Sequence, residues 1–351
     1  SLFGHTAIRY EDPANGIDAV FNYGLFSFNT PNFILRFSLG ETDYQLGATD
    51  YARFAAEYAF DGRSVWQQTL NLSKEEKAEL IRLLQENYLP ENRVYRYNFF
   101  YDNCATRPRD KIEESIDGKV IYPAEPQDGS LSFRDIVHQY CKGHPWARFG
   151  IDLCIGSEAD RPITQRQMMF APFYLMDAFA GAQIVHDSVQ RPLVSGKELI
   201  VDALPEEEEG GWMPTPFQCS LLLFILTAAA TIYSIRKRTG LWGVDLILFG
   251  AAGIVGCVLA FLALFSEHPA VSSNFLLLVF HPGQLLLLPY IIYCVRKGKK
   301  CWYLTLNLVV LTLFMVLFPL IPQRFDLAVV PLALCLLIRS ASNLILTSKK
   351  K

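Results

Sequence analysis

The chain has 351 residues, more than one average domain, and its charges are unevenly distributed. Twelve Lys and Arg residues but only three acidic residues follow Thr215, a net charge of +9. Because the whole chain carries −3, residues 1–215 carry about −12, which argues against a nucleic-acid partner. Long apolar runs after residue 212 predict a globular domain at 1–205, a polar linker at 206–215 and a transmembrane domain at 216–351.

Short alternating and periodic runs predict an α+β fold for the globular domain. The first two predicted strands flank the turn-forming residues 12–16, and counting across this hairpin places His5 opposite residues 22–24. The apolar helix predicted near residue 170 is either core or a helix that rests on the bilayer. The predicted elements, in chain order, are strands at His5–Glu11, Ile17–Phe26 and Phe33–Leu39 and helices at Tyr51–Phe60, Lys74–Asn87 and Phe170–Val185.

Residues 102–110, with the sequence DNCATRPRD, predict the start of a helix with Cys104 at its N-terminus. The helix dipole and free backbone N–H groups favour a thiolate, and Arg107 and Arg109 add positive charge. Cys104 is therefore a candidate nucleophile. The alternative is a buried structural cysteine.

A thiol nucleophile needs a base, and His5 is the best candidate among six histidines because Gly4 leaves room beside its ring. A lone strand histidine can equally be structural. The hairpin count selects Asn22 to orient the imidazole, with Tyr23 as the substitute if the register slips by one. The sequence has no CxxC, HExxH or clustered histidines, so neither a metal nor a cofactor is predicted.

Other polar side chains have less certain assignments. Cys141 and Cys154 can form a disulfide in an oxidising compartment, which would leave Cys104 unpaired outside the apolar spans. Three arginines are candidate contacts for a phosphate or a peptide, or else they form structural ion pairs with Asp102, Asp110 or Asp152. These arginines are Arg9, Arg107 and Arg109.

Five stretches approach the roughly 20 helical residues that cross a bilayer. Basic clusters follow the first, third and fifth stretch, so the positive-inside rule places these ends and the C-terminus in the cytoplasm. Residues 1–215 and the loops 266–274 and 321–325 are then outside. A very hydrophobic soluble core would not place basic clusters at alternate gaps. The stretches are Pro216–Ile235, Leu241–Phe265, Phe275–Cys294, Cys301–Leu320 and Asp326–Leu346.

The third stretch is interrupted by the run HPGQ at 281–284. This break lines an entrance for a lipid headgroup, or it marks a Pro-initiated helix that follows an interfacial loop. His268 and His281 are candidate substrate contacts near that entrance. Arg339 and Asn343 are predicted to reach the cytoplasmic interface. The start of the chain has no signal-peptide pattern, so we expect an export signal that was removed by processing.

Several motifs together resemble the Lnb family of bacterial lipoprotein N-acyltransferases. They are FGHTAIR, NYGLFSF, TPNFILRFSLG, YRYNFFYDNCATRPRD, and FGIDLCIGSEADRPIT with MMFAPFYL. The resemblance implies a permuted papain-like periplasmic domain followed by an all-α five-helix transmembrane domain in the bacterial inner membrane. It also implies that His5 and Cys104 are the catalytic pair, whereas Asn22 depends on the hairpin count alone.

The resemblance further implies that the enzyme transfers an acyl chain from a membrane phospholipid, through a Cys104 thioester, to the N-terminal amine of diacylglyceryl-modified lipoproteins. The Cys104 backbone N–H, with Asn103 assisting, is expected to bind the oxyanion. One alternative is a membrane-tethered papain-like peptidoglycan amidase or endopeptidase. Another is a non-catalytic lipid-binding module.

Overall fold

The computed structural model describes residues 2–26, 31–124, 131–187, 189–203 and 213–348. Its contacts divide the chain into two units. The first, here the globular unit, comprises Ser1–Tyr140 and Pro162–Gly210, and the second, the helical unit, comprises Cys141–Arg161 and Gly211–Lys351. A stretch from the middle of the N-terminal sequence therefore belongs to the helical unit. Most of the predicted linker at 206–215 lies outside the described residues.

The strands form three antiparallel sheets, with the orders β1-β2-β3-β5, β4-β9 and β6-β7-β8. The strands of the described residues are β1 (Ala7–Asp12), β2 (Ile17–Leu25), β3 (Asp43–Asp50), β4 (Val65–Leu70), β5 (Val94–Arg96), β6 (Lys119–Ile121), β7 (Gln183–His186), β8 (Val189–Pro192) and β9 (Val194–Val201).

The described α-helices after residue 215, and one before it, belong to the helical unit, and the others belong to the globular unit. The described helices are α1 (Phe33–Leu39), α2 (Tyr51–Phe60), α3 (Lys74–Tyr88), α4 (Thr106–Ser115), α5 (Phe133–Tyr140), α6 (Pro145–Cys154), α7 (Gln165–Met168), α8 (Pro172–Gly181), α9 (Pro216–Lys237), α10 (Trp242–Phe265), α11 (Gly283–Leu286), α12 (Leu288–Lys297), α13 (Trp302–Leu317) and α14 (Val329–Ser348). Short 3-10 helices lie at Ser157–Asp160, Pro269–Val271, Phe275–Leu278 and Phe318–Leu320.

The α+β prediction and the N-terminal hairpin are confirmed. Strands β1 and β2 pair antiparallel, with Ala7 opposite Asn22 and Asp12 opposite Ile17. Helix α3 begins with the predicted capping box, in which the Ser73 hydroxyl accepts from the Glu76 N–H and the Glu76 carboxylate accepts from the Ser73 N–H. Behind the first sheet, Tyr23, Leu46 and Leu84 are almost fully buried. Burying one leucine of this kind stabilises the fold by about 1.5–3 kcal/mol.

Two element predictions in the globular unit are wrong. Phe33–Leu39 was predicted as a strand because apolar side chains alternate along it, but it forms α1. Asn32 and Gly40 adopt left-handed conformations at its two ends, with φ of 56° and 77°, and these caps set the helix boundaries. The predicted helix Phe170–Val185 ends at Gly181, after which the β-branched residues Ile184 and Val185 pair with β6.

The helical unit has four helices long and apolar enough to cross a membrane among the described residues: α9, α10, α13 with its following 3-10 turn, and α14. The break predicted in the third of the five stretches is therefore confirmed, and the other four stretches form these long helices. The predicted third span, Phe275–Cys294, consists of a 3-10 helix, a non-helical stretch, α11 and the start of α12. Pro282 stands directly before α11, and its ring prevents a continuous helix through the preceding turn.

The broken segment is accommodated by two glycines of α10. A Cβ atom at Gly256 would overlap the His281 backbone, and one at Gly253 would overlap the Leu285 backbone. The fully buried Gln284 donates its amide N–H to the Val279 carbonyl at 2.7 Å, which satisfies a group that the break leaves without a helical partner. Non-helical backbone at membrane depth requires this kind of burial in protein.

Arg339 was predicted to reach the interface, and this is wrong. Its side chain is 2% exposed and forks onto Asp245, with Nε–Oδ1 2.7 Å and Nη2–Oδ2 3.0 Å, while Nη1 lies 3.2 Å from the Thr231 hydroxyl. Asn343 is also buried, and its Oδ1 accepts from the Cys301 N–H. A bidentate carboxylate partner inside the helical unit therefore replaces water for the guanidinium.

Residues 141–161 pack within the helical unit, against both loops that were predicted to lie outside. The Gly156 N–H donates to Ala270 O at 2.7 Å, and the Asn274 amide donates to Leu153 O at 2.7 Å. Gln323 donates to Ile155 O at 3.3 Å. Both loops therefore lie on the same side of the helical unit as residues 141–161.

The predicted disulfide between Cys141 and Cys154 is absent, since both thiols are free. Helix α6 separates the two cysteines along the chain, and its ten residues span about 15 Å. A disulfide requires Cα atoms no more than about 7 Å apart. The helix therefore keeps the two thiols beyond bonding distance.

Candidate active site

The predicted thiol and imidazole line one cavity of about 240 Å³ in the globular unit. Most of the other lining side chains are aromatic or apolar, which suits an apolar ligand more than a polar one. The lining residues are Phe3, Gly4, His5, Gly24, Phe26, Tyr44, Tyr97, Phe99, Asn103, Cys104, Phe170, Ala171 and Pro172.

Cys104 lies in the turn that leads into α4. The regular helix begins at Thr106, and the Arg107 N–H donates to Asn103 O at 3.2 Å, so Cys104 lies at the start of the helix. Gly24 of β2 passes beside it, since a Cβ atom at Gly24 would lie 3.5 Å from the Cys104 Cβ. Gly24 has φ +88°, a conformation that a side chain would strain. The close approach of β2 to the thiol therefore depends on glycine here.

Asn103 holds this turn with its whole side chain. Its Oδ1 accepts from the N–H groups of Ala105 and Thr106, at 2.8 and 3.0 Å. Its Nδ2 donates to Phe99 O and Phe170 O, at 2.8 and 2.9 Å. Because both amide protons are already used, the Asn103 side chain fixes the Cys104 backbone rather than donating to an oxyanion.

The imidazole of His5 is hydrogen-bonded to Asn22, as the hairpin count predicted. His5 Nε2 lies 3.0 Å from Asn22 Oδ1. An amide oxygen only accepts, so this contact places the proton on Nε2 and leaves the lone pair on Nδ1. A histidine in this tautomer can take a proton through Nδ1.

Tyr23, the substitute for Asn22, lies on the other face of β2. Successive side chains of a strand point to opposite faces, so Asn22 and Tyr23 cannot both face His5. Tyr23 is fully buried in the core, and its hydroxyl donates to Asn87 Oδ1 at 2.7 Å. Its contribution is to the core of the globular unit.

The electrostatics differ from the prediction of a thiolate. Burial raises the pKa of Cys104, against the opposing effect of the backbone N–H groups of Thr6 and Cys104, which are directed at its sulfur. Burial lowers the pKa of His5, the hydrogen bond that its Nε2–H donates to Asn22 opposes this shift, and the positive charge of Arg63 lowers the pKa further. Burial therefore favours the neutral form of both groups.

The three candidate arginines are engaged within the chain. Arg9 forks onto Asp18 with two bonds of 2.8 Å, and Arg107 forks onto Asp102 at 2.6 and 2.7 Å. Arg109 is buried between Asp110 and the Arg166 carbonyl. The pairs of Arg107 with Asp102 and of Arg109 with Asp110 are those of the alternative interpretation, whereas Asp18 was not among its candidate partners.

The two candidate histidines of the helical unit, His268 and His281, belong to its loop and its broken segment. His281 Nε2 lies 3.0 Å from the Tyr303 hydroxyl, a contact that fixes the imidazole to α13. The sequence offers His281 as a candidate substrate contact within the helix break. Its partner on α13 could not be read from spacing, because Tyr303 follows 22 residues later.

The aromatic lining was not predicted from the sequence. Tyr44 and Tyr97 stack with ring centroids 4.2 Å apart, and Phe99 meets Phe170 edge-on at 5.8 Å. The dense aromatic run at 97–101 was the available signal, but β3 and the residues near 170 approach it only in the folded chain. The Thr6 backbone N–H was also missed, because backbone donors have no sequence signature.

Comparisons with known families match the two ends of the chain and leave residues 129–206 unmatched. A family model described as the Lnb N-terminal periplasmic domain matches residues 1–128, and one described as the Lnb transmembrane domain matches residues 207–351. No curated protein and no solved structure matches the chain. The papain-like fold of the globular unit therefore stays a prediction.

Proposed function

The chain belongs to the Lnb family, with a periplasmic N-terminal domain and a transmembrane domain, and from this premise we propose that it is a lipoprotein N-acyltransferase. The observation that carries the proposal is that Cys104 and His5 line one aromatic cavity, with the imidazole of His5 hydrogen-bonded to Asn22. The acyl donor is a membrane phospholipid. The acceptor is the N-terminal amine of a diacylglyceryl-modified lipoprotein.

In the first half-reaction His5 Nδ1 takes the proton of Cys104 as the sulfur attacks an ester carbonyl of the phospholipid. The resulting oxyanion receives the backbone N–H groups of Thr6 and Cys104, which already point at the sulfur. Collapse of the tetrahedral intermediate breaks the ester C–O bond. His5 returns its proton to the departing alcohol oxygen, which leaves a lysophospholipid and an acyl thioester.

In the second half-reaction the lipoprotein amine attacks the thioester carbonyl. His5 takes a proton from the amine, the C–S bond breaks, and Cys104 recovers a proton as the amide is released. The neutral resting state of the pair suits both halves, because each begins with an imidazole that must accept a proton. It also keeps an idle thiol less reactive than a standing thiolate.

The proposed setting is the periplasmic face of the bacterial inner membrane, with the C-terminus in the cytoplasm. The basic residues after α9 and at the end of α12 support this orientation. The segment 266–301 then returns the chain across the bilayer as short broken helices packed on α10. Both substrates are anchored in lipid, so a site tethered at the surface concentrates them and limits hydrolysis.

The test is incubation of the full chain in vesicles with a phospholipid that carries a labelled acyl chain. We expect a hydroxylamine-sensitive labelled thioester on the wild type, none on Cys104→Ala, and transfer of the label when a diacylglyceryl peptide is added. Cys219→Ala, which removes a thiol from α9, is the matched control and should label normally. Absence of labelled protein together with release of peptidoglycan peptides would instead identify a wall hydrolase.

A further inference from the structure

Helix α1 presents apolar side chains to solvent. Ile34 is 80% exposed, Leu35 50% and Phe37 49%, and none of the seven helical residues is buried. Leu25 and Phe26, just before this region, are 41% and 42% exposed. An apolar surface of this kind on a folded chain marks a place that is covered in the working state.

The two ends of α1 and its one charged residue, Arg36, fix the position of the helix. Left-handed Asn32 and Gly40 terminate it on both sides. The Arg36 guanidinium donates to Glu41 O at 3.0 Å and to Asp43 at 3.1 Å, so its charge is neutralised within the chain. The exposed apolar side chains therefore stand on a short element with little free charge.

A row of aromatic rings joins α1 to the Cys104 cavity. Phe33 stacks on Phe37 at 6.1 Å and on Phe26 at 5.4 Å. Phe26 packs on Tyr44 at 5.0 Å, and Tyr44 stacks on Tyr97 at 4.2 Å. Phe26, Tyr44 and Tyr97 themselves line the cavity. The exposed surface and the site are thus one continuous apolar path.

We propose that α1, with Leu25 and Phe26, inserts among the acyl chains of the bilayer and that the aromatic row guides a phospholipid ester to Cys104. This inference rests on the proposed function for the identity of the ligand. The occupant is lipid because the same chain carries four helices able to span a membrane, and because the path ends at an aromatic, apolar cavity. A docking protein is the competing occupant.

Insertion is tested without catalysis by photo-crosslinking. Benzoylphenylalanine replaces Ile34, or Val189 as the control, in full-length Cys104→Ala protein reconstituted with radiolabelled phosphatidylethanolamine. Val189 is 66% exposed but lies on β8, away from the cavity lining. We expect severalfold more lipid captured at 34 than at 189. Equal capture, no capture, or capture of a protein in native membranes in place of lipid would overturn the proposal.

Guidance of the ester is tested with two substrates. Ile34→Asp and Phe37→Asp should each lower thioester formation from vesicle phospholipid about tenfold or more, because burying either side chain in lipid is worth at least that factor. Val189→Asp should leave it unchanged. A water-soluble short-chain ester should acylate all variants at the wild-type rate, and an equal loss on that ester would show that α1 acts only on the fold.

The two experiments separate this inference from the proposed function. If the wild type forms no thioester with either ester, the acyltransfer proposal fails, while crosslinking at position 34 still decides whether α1 meets lipid. If acylation proceeds and position 34 captures no lipid, the acyltransfer proposal stands and α1 has another role.

Discussion

Cys104 with His5 in the globular unit and Arg339 with Asp245 in the helical unit are two groups of titratable side chains whose surroundings have opposite effects on charge. In the globular unit, Cys104 and His5 have an amide and backbone N–H groups as partners, and burial keeps both neutral. In the helical unit, Arg339 meets Asp245 in a two-bond fork, and the pair is held as an ion pair. A buried charge persists where a partner of opposite charge matches its geometry. The neutral pair is free to exchange protons with a substrate.

The comparison predicts that losing one member of the neutral pair affects the reaction rather than the fold. For His5→Ala we expect the rate of thioester formation to fall by about 10²–10⁴-fold, since a positioned base contributes that much. The melting temperature should stay near that of the wild type. Stopped-flow labelling and thermal unfolding of the same preparation measure both. An unfolded His5→Ala protein would contradict the distinction between the two pairs.

Losing one member of the charged pair should have the reverse effect. Arg339→Ala leaves Asp245 buried without its partner, and we expect the helical unit to lose about 3–5 kcal/mol of unfolding free energy. Denaturant titration in detergent micelles measures this loss. The double variant Asp245→Leu with Arg339→Met removes both charges and should recover most of the stability. Failure of the double variant to recover would show that the loss comes from packing.

A substitution that disturbs packing without removing a charge should have a smaller effect on the unfolding free energy. A methyl group at Gly256 would overlap the His281 backbone, so Gly256→Ala should lower the unfolding free energy by about 1–3 kcal/mol. Gly243 lies on the same helix, and a Cβ atom added there would have nothing within 4 Å, so Gly243→Ala is the matched control. We expect Gly243→Ala to be neutral or slightly stabilising in the same titration. Equal effects of the two substitutions would mean that α10 does not contact the broken segment closely.

The smallest expected effect concerns pH. Since burial lowers the His5 pKa from its usual 6.5, the wild-type rate should decrease with falling pH around a midpoint below pH 6.5. Arg63→Gln removes a positive charge that lowers this pKa, so the decrease should move to higher pH. Asn22→Ala removes a bond that raises the pKa, so it should move the decrease to lower pH while also slowing the reaction. Shifts in the opposite directions would exclude His5 as the titrating base.

Local turn chemistry made part of the site predictable. The run at 12–16 fixes the hairpin, and once its register is known the contact between His5 and Asn22 follows by counting. The resting charge of Cys104 was wrongly predicted because helix dipole and nearby arginines are visible in a sequence, whereas burial is a property of the folded chain. For Arg107 the sequence left open a substrate contact or an ion pair with Asp102, and the folded chain has the ion pair.

Elsewhere the sequence pattern competed with long-range packing. The alternation along residues 33–39 is real, but the conformations of Asn32 and Gly40 decide the element. The third apolar stretch is long enough to span, but Pro282 divides it and the glycines of α10 accept the broken backbone. The partner of Arg339 lies 94 residues away along the chain, a separation over which no periodicity carries information.

The assignment of residues 141–161 to the helical unit has a consequence for how the protein is made. This segment is synthesised before α9 to α14, so Phe149 and Leu153 lack their packing partners until those helices have been synthesised. The globular unit therefore folds while residues 141–161 still lack their packing partners. A secreted fragment that stops at residue 210 would carry this segment without its partners, and its apolar side chains would promote aggregation.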